Sequence, residues 1–596
     1  MELSAAGFIL VCYFFPVTPV AAQTASSLRS GPSTLAARAI DLLLLGVLGA
    51  SVAGVVALAE QWGAPLREAV PIDLSPSALP GYTLLSLSRG LAAYVLSLAF
   101  TLVVGTLAAR SPRAERVLVP MLDIGQGIPV LGFLPGLVLG MVALFPRTNV
   151  GLELACIVMI FTGQVWNMVF SFYGSLKAVP AELYEVSRLN GFSRWKTFRT
   201  VELPSAVIGL VWNSMMSMAG GWFFLTVNEA FVLGGRDFRL PGVGSYMAVA
   251  IERGNTRAMV WGVVAMTVMI VAVDQLLWRP LVVWSQKFRV EETGSGEPPT
   301  SWVVALLKRS RLLRKLLRSL RRAREEARAR AAARGALPGT GASRSGVLRT
   351  SASLLGGVLA TAAALWGMVR LGSLLARVPA REWGVLGLAL GATGLRTAYA
   401  LVLAVLWTVP AGILLGRSRT WSRRLQPVIQ IVASFPAPML YPLVTAALLF
   451  AGAPFGGIAA VLMVLGAQWY VLFNVLAGAS AIPGDLGEAA DVYRVSGLRR
   501  FLTLDLPAVF PFLVTGLVTA AGGAWNASIV AETLVFRGRE LTTFGLGSLI
   551  TRATHEGNFP LLAAGVLTMS FALVLLNRTV WRRLYRLAAT RYALNR

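Results

Sequence analysis

The chain is poor in the residues that most protein chemistry needs. It has one histidine, His555, and two cysteines, Cys12 and Cys156, in 596 residues. A single imidazole makes neither a proton relay nor a histidine metal cluster, and two distant thiols give no disulfide framework and no thiolate metal site. Charge is scarce as well: 14% of residues are charged, against about 25% in ordinary soluble domains. None of the five lysines stands in the G-x4-G-K-[ST] stretch whose backbone N–H groups cradle phosphates, so no P-loop is present. These deficits argue against a metalloenzyme, a nucleotide-hydrolysing subunit and a soluble enzyme of this length. No catalytic residue and no metal ligand are assigned.

Apolar residues are abundant, at 56% with a mean hydropathy of +0.67. A membrane-spanning helix needs about 20 mostly apolar residues. Apolar runs fall near 39–60, 89–109, 117–145, 151–175, 205–230 and 258–284, then near 350–371, 396–416, 427–451, 456–480, 508–531 and 560–580. The expected fold is therefore an all-α polytopic membrane protein with about 12 transmembrane helices. The net charge of +26 is concentrated in alternate loops, including Arg110, Arg113 and Arg116, then Lys177, Arg188, Arg194, Lys196 and Arg199, then Arg417, Arg419, Arg423 and Arg424. Basic loops mark the cytoplasmic side, so the excess charge points to a bacterial inner membrane and its anionic lipids rather than to nucleic acid.

The two halves repeat each other in register. Arg89 matches Arg396, Gly105 matches Gly412, Arg110 matches Arg417 and Pro129 matches Pro436, all at an offset of 307. Beyond a short length difference the offset becomes 303: Trp166 matches Trp469, Glu185 matches Glu488, Trp222 matches Trp525, Glu229 matches Glu532, and 242–245 (GVGS) matches 545–548 (GLGS). The chain is a tandem duplication of a six-helix unit, both copies inserted in the same orientation, with any pathway expected between them. The expected divisions are an N-terminal hydrophobic segment at 1–23, a first transmembrane domain at 24–288, a basic linker at 289–347 and a second transmembrane domain at 348–596. Within the linker, 308–334 carries twelve Lys/Arg against two Glu, with leucines at helical spacing. That pattern suits an amphipathic helix on an anionic leaflet.

Each half also carries a distinctive loop on the expected cytoplasmic side. Residues 180–204 read PAELYEVSRLNGFSRWKTFRTVELP, and 483–507 read PGDLGEAADVYRVSGLRRFLTLDLP. Both place Leu-Pro eighteen and nineteen residues after a glutamate. This resembles the EAA loop of ABC importer permeases, E-A-A-x3-G-x9-I-x-L-P. The first copy keeps Glu185 and Gly191 with Val186 and Ser187 in place of the alanines, and ends at Pro204. The second keeps Glu488, Ala489 and Ala490 and ends at Pro507, but has Arg494 in the glycine position and offers Gly497 three residues on. The segments 164–180, 217–230 and 522–533 resemble the fused two-unit permeases of nitrate, sulfonate, taurine and bicarbonate importers.

The resemblance implies a subunit that is not itself an enzyme. Two copies of a cytoplasmic ATPase, with ATP and Mg bound in that partner, would grip one EAA loop each. The glutamate would make the polar contact, and the small residues would permit close approach. A periplasmic or lipid-anchored substrate-binding protein would dock on the outer loops near 231–256 and 533–559. Ferric-iron and thiamine importers also have fused permeases and are the alternative assignment. An ion-coupled secondary transporter would share the twelve spans but leave the twin loops unexplained.

Charged groups inside spans are costly and are functional suspects. Glu229 and Glu532, with Trp222, Asn228, Trp525 and Asn526 nearby, are candidates for a pathway lining or an interface between the halves. Arg236 and Arg537 are offered as their cationic partners, and Arg89 and Arg396 as anchors at the periplasmic helix ends. Asp123, Gln126 and Gln430 lie by the proline-broken third runs, where freed backbone groups could line a cavity.

Overall fold

The computed structural model describes residues 70–288, 301–310 and 365–592, apart from Arg537, and a few isolated positions elsewhere. The apolar run at 39–60, the segment 1–23 and most of the basic stretch at 308–334 lie outside the described residues. One compact unit holds helix Trp302–Arg309, a short amphipathic element. The other unit holds both halves of the duplication.

The first half runs α1 (Leu79–Arg110), α2 (Pro112–Gly127), α3 (Leu134–Leu144), α4 (Val150–Lys177), α5 (Ala181–Leu189), α6 (Arg194–Thr197) and α7 (Leu203–Asn228). A hairpin of β1 (Ala230–Leu233) and β2 (Arg236–Arg239) follows, then α8 (Val243–Glu252), α9 (Thr256–Val273) and α10 (Arg279–Ser285). The second half repeats this order from α11 (Ala380–Arg417) through α12 (Arg419–Ser434), α13 (Ala437–Phe450), α14 (Phe455–Ser480), α15 (Gly484–Val492), α16 (Gly497–Arg500) and α17 (Leu506–Ala531). Hairpin β3 (Thr533–Phe536) and β4 (Arg539–Thr542), then α18 (Leu546–Glu556), α19 (Phe559–Leu576) and α20 (Arg582–Arg591) complete it. Even the local irregularities recur: π-turns at Phe198–Glu202 and Phe501–Asp505 lead into α7 and α17, and π-turns at Asp274–Trp278 and Asn577–Trp581 follow α9 and α19.

Among the described residues, eight helices are long and apolar enough to cross a membrane, or up to ten if each of two bent pairs is one span. The expectation of about twelve differs in identifiable places. The run at 39–60 is not described, and of the run at 350–371 only the end is described, in the short helix Leu365–Leu375. The third run of each half is not a straight span but two short helices bent by 86°. The cause is Pro129 and Pro436, which hold extended backbone at the break and cannot donate to the helical ladder.

In the second half, α11, α14 and α17 pack through small residues. Ala404, Ala467, Ala520, Ala524 and Ala527 are buried in that core. A Cβ at Gly516 would come within 3.0 Å of the Tyr470 carbonyl, so glycine is what lets α17 approach α14 this closely.

Twenty-one residues separate Arg89 from Arg110 along α1, and the same number separate Arg396 from Arg417 along α11. At 1.5 Å per residue that is about 31 Å, close to the ~30 Å thickness of a bilayer's hydrocarbon core. The two arginines of each half are thus about one hydrocarbon-core thickness apart along its first long helix.

Candidate functional site

A second arginine in each half, Arg110 or Arg417, braces its EAA-like loop. Arg110 grips Glu202 with two hydrogen bonds, Nε to Oε1 at 3.0 Å and Nη2 to Oε2 at 2.7 Å, and Nη2 also donates to the Arg194 carbonyl. In the second half Arg417 pairs with Asp505 at 3.2 Å, while Arg500 bonds Asp491 at 2.7 Å. Glu202 and Asp505 are almost fully buried, and a two-point arginine–carboxylate fork fixes orientation as well as distance. Tyr184 lies in the same brace. Burial pushes its phenol above the ordinary value and the Glu202 charge adds to this, with Arg110 opposing.

On this brace stand α5 and α15. Pro180 and Pro483 occupy the N-cap positions, and Glu182 and Asp485 lie in the first turns, where a negative charge meets the positive end of the helix. Both helices stop in the same way. Phe192 N–H donates to the Ser187 carbonyl and Gly191 N–H to that of Arg188; Val495 N–H donates to Ala490 and Arg494 N–H to Asp491. This is the Schellman arrangement, which needs a left-handed residue just past the helix. Gly191 supplies it at φ 64° and Arg494 at φ 51°. The second copy therefore keeps the turn without its glycine, and Arg494 is the one described non-glycine residue with positive φ. Gly497, also at positive φ, opens α16 instead.

Ser187 and Ala490 are buried against the body of the protein, whereas Glu185 and Glu488 are exposed. Large apolar side chains are exposed with them: Leu183, Val186 and Leu189 on α5, with Leu189 at 87%, and Leu486 and Val492 on α15 followed by Tyr493. Ala489 is exposed in the position matching Val186. Pro204 and Pro507 start the next spans at their N-terminal turn, where the missing N–H costs nothing.

Between the halves lies a cavity of about 160 Å³. Its walls include Gln126, Asn167, Gln430 and Asn526, with Trp166, Trp469 and Tyr470. Among the described residues, none that lines it is charged. Val130 N–H, freed at the bend after Pro129, donates to Asn526 Oδ1 at 2.8 Å and so joins the two halves at the cavity wall. A second joint links Asn577 to Asp123, and a third caps α18: Gly234 and Gly235 N–H donate to the carbonyls of Thr554 and His555.

Of the six residues flagged near the ends of α7 and α17, only Asn526 lines this cavity. Trp222 borders a smaller crevice with Gln430 and Ser434, and Trp525 is buried beside Gly394. Asn228 is buried, and among the described residues neither of its side-chain amide atoms has a hydrogen-bond partner. Glu229 and Glu532 are fully buried inside their own halves. Glu229 bonds Arg89 Nη1 at 2.7 Å, Ser86 Oγ at 2.7 Å and Gly244 N–H at 2.7 Å. Glu532 bonds Arg396 Nη1 at 2.8 Å, Thr393 Oγ1 at 2.7 Å and Ser548 N–H at 3.1 Å. The cations that hold these carboxylates are thus Arg89 and Arg396. Arg236 is exposed on β2, and Arg537 is outside the described residues. Arg89 is no anchor at a helix end: it is wholly buried and also takes a two-point grip from Glu153. The GxGS stretches exist for this network, since a Cβ at Gly242 or Gly545 would overlap the carboxylate.

The family of binding-protein-dependent transport system inner membrane components matches residues 101–277 and again residues 408–592, more than half of the chain. The chain belongs to this family. It is a multi-pass membrane permease built from two tandem copies of the family unit, as its resemblance implied. Over 186 residues (31% of this permease and 63% of the relative) it is 28% identical to the nitrate import permease protein of Leptolyngbya laminosa. Over 141 residues (24% and 49%) it is 30% identical to a bicarbonate transport system permease protein of Synechococcus elongatus. A Bacillus subtilis permease protein named for aliphatic sulfonates transport is 25% identical over 212 residues (35% and 71%). The permease spans between about half and two thirds of the length of the nitrate and bicarbonate relatives.

Proposed function

We propose that this permease is the membrane-spanning subunit of an ATP-driven importer of a small oxyanion in a bacterial inner membrane. A separate pair of ATPase subunits, holding ATP and Mg, drives it through α5 and α15, and a substrate-binding protein delivers the solute on the opposite face. The observation that carries the reading is the twin loops. Each presents a solvent-exposed helix with a glutamate and a stripe of apolar side chains, which is what a docking surface requires and what a solvated loop avoids. Each is braced by an arginine–carboxylate pair to the first long helix of its half. A push on α5 or α15 is therefore passed to a helix that crosses the bilayer rather than absorbed in the loop. ATP-driven closure of the partner pair would tilt the two halves against each other about the cavity between them.

The substrate class is supported by the relatives named for nitrate, bicarbonate and sulfonates and by the chemistry of the cavity. Amides and indoles give neutral N–H donors, enough to hold an anion briefly and too weak to trap it, as conduction demands. The deciding experiment is reconstitution with the cognate ATPase. Glu185→Ala with Glu488→Ala is expected to reduce ATPase co-purification and abolish ATP-dependent uptake while leaving membrane insertion intact. Unchanged association and uptake in that double variant would refute the coupling role.

A further inference from the structure

The outer arginine layer is where the two copies differ. In the first half Arg89 has two carboxylates: Glu153 holds its Nε–Nη2 edge at 2.6 and 2.7 Å, and Glu229 holds Nη1. In the second half Arg396 has one, Glu532 on Nη1. The residue matching Glu153 is Gly456, in the first turn of α14. The Nε–Nη2 edge of Arg396 faces that glycine. A Cβ built there would stand 3.8 Å from each of the two nitrogens, with Thr543 Oγ1 at 3.3 Å as the nearest atom. Thr543 takes one bond from Nη2, and among the described residues Nε has no acceptor. The Arg396 side chain is 18% exposed where that of Arg89 is completely enclosed.

We propose that the Nε–Nη2 edge of Arg396, over Gly456, is an outer-mouth binding site for a free planar oxyanion of carboxylate geometry, such as nitrate or bicarbonate. The first half shows what this fold builds around the same guanidinium: two parallel N–H···O bonds to a planar pair of oxygens. Nitrate and bicarbonate present the same pair of coplanar oxygens, and the arginine fork matches that geometry. Charge agrees. Arg89 is surrounded by two negative charges and Arg396 by one, so one bound monoanion brings the second copy to the balance of the first. The site lies part-way along α11, on the side of Arg396 away from the coupling loops, about 31 Å from Arg417 at 1.5 Å per residue. Its role as the first station of a pathway rests on the import reading; the binding itself does not.

The test uses the full-length permease in lipid nanodiscs, with thermal unfolding followed in sodium nitrate, bicarbonate or methanesulfonate against sodium chloride at equal ionic strength. Nitrate and bicarbonate are expected to raise the wild-type melting temperature saturably; methanesulfonate, whose sulfonate also offers the fork two oxygens, shows whether planarity matters. Gly456→Glu, which supplies the missing carboxylate internally, is expected to melt higher than wild type and to lose the anion response. Arg396→Lys keeps the charge without the fork and is expected to weaken nitrate binding about tenfold or more, the loss of roughly one good bidentate contact. It decides the matter if Gly456→Glu does not fold. No saturable response in wild type, or an undiminished response in Arg396→Lys or a folded Gly456→Glu, overturns the site. If wild type ignores free anions but Gly456→Glu abolishes docking of the substrate-binding protein, the edge takes a protein carboxylate and the free-anion assignment falls. ATP-dependent uptake, measured in parallel, separates the readings: uptake without anion binding removes this site alone, and anion binding without ATP dependence removes the coupling role alone.

Discussion

A buried guanidinium is held by the number of carboxylates around it, and the two copies differ in that number. Removing Arg89 leaves Glu153 and Glu229 buried and uncompensated, whereas removing Arg396 leaves only Glu532. Breaking a buried pair costs about 3–5 kcal/mol because an uncompensated charge remains. Arg89→Gln is therefore expected to lower the melting temperature of the purified chain further than Arg396→Gln, and equal losses would contradict the count. The sequence flags both glutamates but not their partners. Arg89 and Glu229 stand 140 residues apart, whereas proximity along the chain favours Arg236, which is exposed on β2. The available signal is the duplication itself: Ser86/Thr393, Arg89/Arg396, Glu229/Glu532 and the GxGS stretches all recur at fixed offsets and all belong to one network. Glu202 and Asp505 have the same signature, an acid two residues before a proline in both copies, and pass unnoticed in a pattern that specifies only the hydrophobic positions there.

At the scale of a helix and its turn, α5 and α15 show geometry outlasting sequence. A left-handed residue with a Cβ costs roughly 1–2 kcal/mol relative to glycine, yet Arg494 takes that conformation and the 490–495 hydrogen bonds close as they do at 187–192. Arg494→Gly should slow amide hydrogen exchange across 484–500 by about fivefold, corresponding to roughly 1 kcal/mol of relieved strain. Exchange that is unchanged or faster would mean the arginine side chain compensates for its backbone. The loops are the most legible elements in this sequence because they rest on local, short-range signals: proline, acid, glycine and a fixed spacing to Leu-Pro. The bent third runs are half legible. Their prolines announce a break but not its angle, which is 86° in both halves.

For the molecule as a whole, the two arginine layers predict where water begins. Single cysteines placed at Leu189 or Val492, both exposed beside the inner layer, should react with a membrane-impermeant maleimide only when the cytoplasmic face is open. A cysteine at Leu541, beside the outer layer on β4, should react from the other side in intact cells. Reaction of all three from one side would refute the span assignment. The overall plan is legible because hydropathy and basic loops report spans directly, and because in-register repetition reports duplication. The cavity is legible only in part: Gln126 and Gln430, beside the broken third runs, do line it, but the rest of its wall is assembled from residues far apart in sequence whose side chains are uncharged.

Joining both copies in a single polypeptide has a genetic consequence. A permease of two identical chains suffers every mutation twice, at symmetry-related places, so neither copy can change alone. Here Glu153 persists while its counterpart is Gly456, and Gly191 persists while its counterpart is Arg494. One gene thus carries two independently evolving versions of the same device, and one of them can specialise while the other preserves the original task.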